Sequence, residues 1–332
     1  MQLIIPLAGK GTRLRPHTHT RPKPLVHVAG KPVLGHILDT LKGLGISHAA
    51  FITGSMEEQI KEFVSGHYDF KSSFVRQEEL LGDGHAINLA REKVLEEKDN
   101  DVLIVFVDTI FRADFSSIGK HEADGIVWVK QVDDPKRFGI VSTDDSGFVR
   151  EIIEKPEDPP TNLALIGLYY IKDKKLLFES LEKIISDKIT SKGEYRLADA
   201  LSWMIRQGKK IKAEEVDVWE DCGKPETLLS TNRHLLTETG GRHPKEGVEN
   251  SVIVEPVYIE DGAEIKNSVI GPYVSIAKGA RIENSVVKDS IINEDSVVRN
   301  ATLEESLIGA EARVEYKRET LNIGDHSELK QK

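Results

Sequence analysis

The residues best suited to chemistry stand at the start of the chain. Leu7-Ala8-Gly9-Lys10-Gly11-Thr12-Arg13-Leu14-Arg15-Pro16 follows directly on the apolar run Gln2-Leu3-Ile4-Ile5. Two glycines let the backbone approach a ligand, and a glycine-rich turn at a strand end offers N–H groups to phosphate oxygens. The spacing is not a dinucleotide-binding fingerprint, because no glycine follows at the third place. It is not a P-loop, because Gly11 stands where Ser or Thr is required. Arg13, Lys23 and Lys155 could neutralise phosphates, or could be ordinary solvated charges. Asp108 comes directly after Val102-Leu103-Ile104-Val105-Phe106-Val107. That places a carboxylate at the mouth of a buried strand, where open α/β sheets bind ligands. The alternative is an N-cap for a following helix. The one cysteine, Cys222, allows neither an internal disulfide nor a thiolate zinc site. It reads as a small packing residue.

The elements that must position these groups alternate. Gln2–Ile5 reads as a buried strand. Val33, Leu34, Ile37, Leu38, Leu41 and Leu44 recur at helical spacing, and Gly45 ends that helix. His48 to Thr53 reads as a strand. Ser55 is placed to cap a helix with the apolar stripe Met56, Ile60, Phe63 and Val64. Strand Phe74–Arg76, helix Ala86–Leu95 and strand Val102–Val107 follow. This order predicts a Rossmann-like α/β fold: a mainly parallel sheet covered by helices on both faces.

From about residue 250 the pattern changes. Ile253, Ile259, Ile265, Ile270, Ile276, Ile282, Val287, Ile292, Val298, Leu303, Ile308 and Val314 recur at steps of five or six. Neither a helix nor an ordinary strand has this period. It fits a hexapeptide-type β-helix, in which three short strands make each triangular coil. Twelve positions make about four coils, and the intervening Gly, Asn, Asp and Ser suit corners. The expected organisation is a catalytic domain over 1–239, a Gly/Pro-bearing linker over 240–247 and a short left-handed β-helix over 248–325.

Taken together, Gly9-x-Gly11-Thr12-Arg13, Pro22-Lys23-Pro24 and Lys31-Pro32 resemble the signature of the sugar-1-phosphate nucleotidylyltransferases. The resemblance continues in order through residue 236 or so. Gln77-Glu78-Glu79-Leu80-Leu81-Gly82-Asp83-Gly84-His85-Ala86 is similar to that family's base-binding loop, with an ending closest to the bacterial UTP–glucose-1-phosphate uridylyltransferases. Arg137-Phe138-Gly139-Ile140-Val141, Glu154-Lys155-Pro156, Asn162-Leu163-Ala164 and Asp221-Cys222-Gly223 match further motifs. Lys10, Val107 and Thr109 depart from the common pattern, without removing a charge the reaction needs.

The resemblance implies an enzyme that joins an NTP to a sugar 1-phosphate and releases pyrophosphate. Two anions must meet, so cations have to surround them. Arg13 is then expected at the leaving phosphates, Lys23 at the reacting centre and Lys155 at the sugar phosphate. Asp108 and Asp221 are expected to bind Mg²⁺, which prefers carboxylate, water and phosphate oxygens. Leu7, Ala8, Gly9, Gly11, Thr12, Gln77, Gly82 and Asp108 would contact the nucleotide. Gly139, Glu154, Lys155 and Asn162 would contact the sugar phosphate. His85 reads as a loop or helix-start residue, because an ionised phosphate needs no general base.

Composition sets the remaining bounds. The chain has 332 residues, 39% of them hydrophobic, enough to build cores and too many for one small domain. With 45 basic and 55 acidic residues the formal charge is −10, which argues against nucleic acid as a partner. No apolar run reaches the roughly 18 residues of a membrane span. Met1–Pro6 lacks the basic start of a secretory leader. The cytoplasm is the expected compartment. Some relatives with a β-helix are bifunctional acetyltransferases that use a histidine, and none lies between His243 and His326. The repeat therefore reads as an assembly or regulatory module, with a homo-oligomer expected and a residual acetyl-CoA site as the runner-up. UTP or dTTP with glucose 1-phosphate is the favoured pair. A mannose-1-phosphate guanylyltransferase and a non-catalytic regulatory subunit are the alternatives.

Overall fold

The computed structural model describes residues 1–120, 122–244 and 246–316. The expectations for 317–325 lie outside the described residues. By its internal contacts the chain forms two units. One comprises Met1–His27 and Lys31–Thr231; the other takes Val28–Gly30 and the chain from Asn232 on. No helix among the described residues is long and apolar enough to cross a membrane.

The first unit runs β1 (Gln2–Pro6), α1 (Val33–Thr40), β2 (His48–Thr53), α2 (Glu57–His67), β3 (Lys71–Arg76), α3 (Asp83–Leu89), α4 (Arg91–Leu95) and β4 (Val102–Val105). Then come β5 (Thr109–Arg112), β6 (Gly125–Gln131), β7 (Gly139–Thr143), β8 (Val149–Glu154), β9 (Leu163–Ile171), α5 (Lys174–Ser186), α6 (Leu197–Arg206), β10 (Ile211–Glu215), β11 (Val218–Asp221) and α7 (Pro225–Thr239), which counts to the second unit from Asn232. Nine strands make one mixed sheet, in the order β8-β7-β9-β4-β1-β2-β3, with β6 paired to β9 and β10 paired to β6. The strands β4, β1, β2 and β3 are parallel to one another, as the alternating pattern predicts. The long strand β9 runs antiparallel to β4, β6 and β7, so the other half of the sheet is mixed.

Successive side chains on a strand point to opposite faces. Ile4, Ile52 and Ile104 share a core with Ile87 of α3, Leu177 and Phe178 of α5 and Leu201 and Met204 of α6. Their neighbours Leu3, Ile5, Phe51 and Leu103 are equally buried, on the other face. There Phe51 stacks on Phe74 at 5.2 Å, and Ile60 and Val64 of α2 are covered. Both faces are therefore closed, which explains why these strands read as continuous apolar runs.

Three local expectations change, and one alternative falls. Helix α1 ends at Thr40, one turn before Leu44, because Gly43 and Gly45 both take left-handed backbone. Ser55 does not cap α2; Met56 stands at the cap without a side-chain bond, and Thr53 hydrogen-bonds Glu57 of the first turn instead. The single helix expected over Ala86–Leu95 is two, meeting at Ala90. No helix follows Asp108, so it is not an N-cap: the chain turns into β5.

The second unit is a left-handed β-helix. Three parallel sheets of five, five and four short strands form its faces. Each of the twelve aliphatic positions lies on its own rung, and Ile265, Ile282, Val298 and Val314 stack in one column. Gly241–Arg242 and Val248–Glu249 also pair as rungs. At one corner Asn250, Asn267, Asn284 and Asn300 all take positive φ. Asn tolerates that conformation. Asn250 Nδ2 donates to Asn267 Oδ1 at 2.8 Å, and Asn267 Nδ2 to Asn284 Oδ1 at 3.3 Å.

Candidate active site

The first unit holds a cavity of about 970 Å³. Leu7, Ala8 and Gly9 contribute from the loop after β1, where Leu7 N still donates to Ile52 O at 2.8 Å. Arg13 and Lys23 follow from the two short 3-10 turns of that loop. Gly11 takes φ +59 at the start of the first of these turns.

The two aspartates reach the cavity by one device. Strands β5 and β11 form an antiparallel ribbon in which Asp221 pairs with Thr109, and Cys222 N donates to Asp108 O at 2.8 Å. Residues 113 positions apart are thereby set side by side. Strand β11 carries no sequence signal around Asp221, because its four residues are all half-buried and show no alternation. Lys23 Nζ lies 3.8 Å from Asp108 Oδ2. Asp221 Oδ1 accepts from Gly223 N at 2.7 Å. A Cβ at Gly223 would stand 2.8 Å from both Asp221 Oδ1 and Arg13 Nη2, so only glycine leaves room for carboxylate and guanidinium here.

The far wall comes from the β7–β8 hairpin, where Glu154 pairs with Gly139. Lys155, one residue past the strand, has φ +46, uncommon for a lysine, and is held by its N–H to Phe138 O at 3.0 Å. Its Nζ lies 3.4 Å from Glu154 Oε1. Phe138 packs edge-on against Trp219 at 5.1 Å. Gln77 is buried on the opposite side, and its Nε2 donates to Gly82 O at 3.2 Å. His85 Nδ1 lies 3.4 Å from the same Nε2, and burial lowers its pKa. Cys222 is buried behind the aspartates, and burial pushes its thiol up to about 12.

Thus Arg13, Lys23 and Lys155 line one cavity with Leu7, Ala8, Gly9, Gln77, Gly82, Asp108, Gly139, Glu154 and Asp221. Gly11, Thr12 and Asn162 do not line it. Asn162 is exposed, its carbonyl taken by Val132 N at 3.0 Å. The cavity is lined three residues further along, from Leu165. Sequence reasoning missed Asp83, Arg137, Tyr169, Arg196 and Trp219, which also line it. Asp83 and Arg137 lie inside quoted motifs and Trp219 two residues before one, so that signal reached all three. Tyr169 and Arg196 carry no local signal.

Among the described residues no three His, Cys, Asp or Glu side chains gather as a metal cluster. Two carboxylates on one ribbon suit Mg²⁺, which typically takes one or two protein carboxylates and completes its shell with water and phosphate oxygens.

Three cations and two aspartates thus line one cavity at the strand ends of a doubly covered α/β sheet, the place where such sheets take ligands. The chain belongs to the nucleotidyl transferase family, whose sequence profile matches residues 3–238. A second profile, the GlmU-like C-terminal hexapeptide, matches residues 243–289. The chain is 38% identical over 264 residues to the bifunctional protein GlmU of Methanocaldococcus jannaschii, covering 79% of this chain and 61% of that relative. It is 34% identical over 251 residues to the UTP–glucose-1-phosphate uridylyltransferase AglF of Haloferax volcanii, covering 72% and 98%. Among solved structures, a putative glucose-1-phosphate thymidylyltransferase from Bacillus anthracis matches with TM-score 0.59 and 26% identity, over 70% of this chain and 94% of that one.

Proposed function

We propose that this chain transfers a nucleotidyl group from UTP or dTTP to a sugar 1-phosphate, glucose 1-phosphate being the favoured acceptor, with Mg²⁺ as the metal. The observation that carries the reading is the convergence of Arg13, Lys23 and Lys155 with Asp108 and Asp221 in one cavity. A sugar-phosphate oxygen attacks the α-phosphorus and pyrophosphate leaves, so the chain's task is to position the reactants and stabilise their charge. Lys155 holds the attacking phosphate beside Glu154, which accepts from sugar hydroxyls. Lys23 stabilises charge at the reacting phosphate, and Arg13 steadies the leaving one. Asp108 and Asp221 would hold the ion, which supplies charge neutralisation across the phosphates. No side chain is needed as base.

Base choice is supported by Gln77. Nε2 donates to Gly82 O and stands 3.4 Å from His85 Nδ1, which leaves Oε1 as the group for a base edge. An acceptor suits the imino N–H of uracil or thymine and opposes cytosine, which offers an acceptor there. N-acetylglucosamine 1-phosphate is the second acceptor, favoured by similarity to GlmU that extends into the hexapeptide region.

The test is pyrophosphate release with Mg²⁺. UTP, dTTP, GTP, CTP and ATP are each offered glucose, N-acetylglucosamine, mannose, galactose and glucosamine 1-phosphates. One dominant uridine or thymidine pair is expected. Silence across the grid from folded protein would overturn the reading.

A further inference from the structure

The loop expected at the base is anchored to the start of α6 by more than backbone contact. Asp83, the first residue of α3, takes Arg196 Nη1 on Oδ2 at 2.9 Å and the Leu197 N–H on Oδ1 at 2.7 Å. Leu197 opens α6, whose own cap residue, Arg196, makes no side-chain cap bond. Asp83 therefore caps α6 from another element, and its charge favours that helix end. Two backbone bonds run alongside, from Gly84 N to Tyr195 O at 2.9 Å and from Tyr195 N to Leu81 O at 2.8 Å. Gly82 fits so closely that a Cβ there would stand 2.3 Å from Tyr195 O. The carbonyl of Gly82 is also the one that fixes Gln77. The chain of contacts runs from Gln77 through Gly82 and Asp83 to Arg196, which Glu194 braces from its other side at 2.8 Å. Asp83, Glu194 and Arg196 all line the cavity.

We propose that Arg196 is a positioning residue for nucleotide recognition, holding the Gln77–Gly84 loop in its binding geometry through Asp83. It acts through the loop, and the role rests on the reading that this loop receives the base. Charge-assisted hydrogen bonds between partly buried groups are the strong kind, so removing one partner loosens the loop and leaves the other without that bond. Arg196→Lys keeps a cation within reach of Asp83 but loses the planar fork. Asp83→Asn keeps an oxygen for the Leu197 N–H while removing the charge.

The full-length protein and the variants Arg196→Ala, Arg196→Lys and Asp83→Asn are compared in steady-state kinetics, in calorimetric UTP and dTTP binding, and in thermal unfolding. Arg196→Ala and Asp83→Asn are expected to raise the nucleotide KM and Kd about tenfold or more, with kcat at saturation within about threefold, and Arg196→Lys to recover part of the affinity. Unchanged nucleotide Kd in folded Arg196→Ala or Asp83→Asn, beside an active wild type, overturns the proposal. So does a collapse of kcat at unchanged Kd, which would put Arg196 at the reacting atoms. A wild type that neither binds nor turns over any nucleotide overturns the functional reading instead.

Discussion

Lys23 Nζ and Asp108 Oδ2 stand 3.8 Å apart, with the lysine side chain 14% exposed and the aspartate 47%. The cation is largely drawn in and the carboxylate is open to the cavity. Such a pair keeps opposite charges in place before substrate arrives. In the proposed reaction each would turn to its own target, the lysine to phosphate and the carboxylate to a cation. Lys155 and Glu154 make a second pair with the exposures reversed, the lysine side chain 42% exposed and the glutamate 13%.

Asp108→Asn keeps the size and the backbone pairing of the ribbon but removes the charge. Turnover with Mg²⁺ is expected to fall about a hundredfold or more, with unfolding temperature within a few degrees of wild type. Pyrophosphate release and a thermal melt check both halves; full activity in the variant would remove Asp108 from the centre.

Lys155→Met removes the charge but retains much of the stem. Sugar-phosphate KM is expected to rise about tenfold or more, while nucleotide KM changes less than about threefold. Equal effects on both substrates would place Lys155 elsewhere on the reaction path.

Cys222 is 1% exposed, and burial holds its thiol near 12. Thiol reagents near pH 8 are expected to label it only after unfolding, because the thiolate is the reactive form. Rapid labelling of the native chain would contradict its placement behind the two aspartates.

His48 is 1% exposed, with Nε2 2.9 Å from Ser73 Oγ. Burial lowers its pKa below the ordinary 6.5. The unfolded chain then takes up a proton that the folded chain refuses. This contribution to stability is complete above 6.5 and is lost as pH falls through the folded value. His48→Gln is expected to flatten the fall in unfolding temperature between about pH 7.5 and about 5.5. An unchanged slope would show that His48 does not titrate in this way.

The β-helix was legible because its period repeats in every coil, and all twelve aliphatic positions fall on rungs. The parallel strands were legible from apolar runs bounded by turns; His48–Thr53 coincides with β2. The antiparallel half was not, because β6 to β9 come with no intervening helix to mark their direction. Asp221 was legible only by resemblance, since a four-residue ribbon strand has no pattern of its own. Asp83 and Arg196 lie 113 residues apart, and nothing local in either segment announces the other.

The asparagine corner bears on how the second unit can change over evolutionary time. Val252, Val269, Val286 and Thr302 stack in register, so equivalent positions recur after 17, 17 and 16 residues. Losing or duplicating one whole coil returns every rung to an equivalent neighbour and the asparagine corner to another Asn. A corner absorbs the loss of one residue, as the 16-residue step shows, but a loss within a strand turns the following buried aliphatic towards water. Length in this part of the molecule is therefore inherited in steps of about a coil, and whole-coil differences among descendants are the variation this architecture tolerates best.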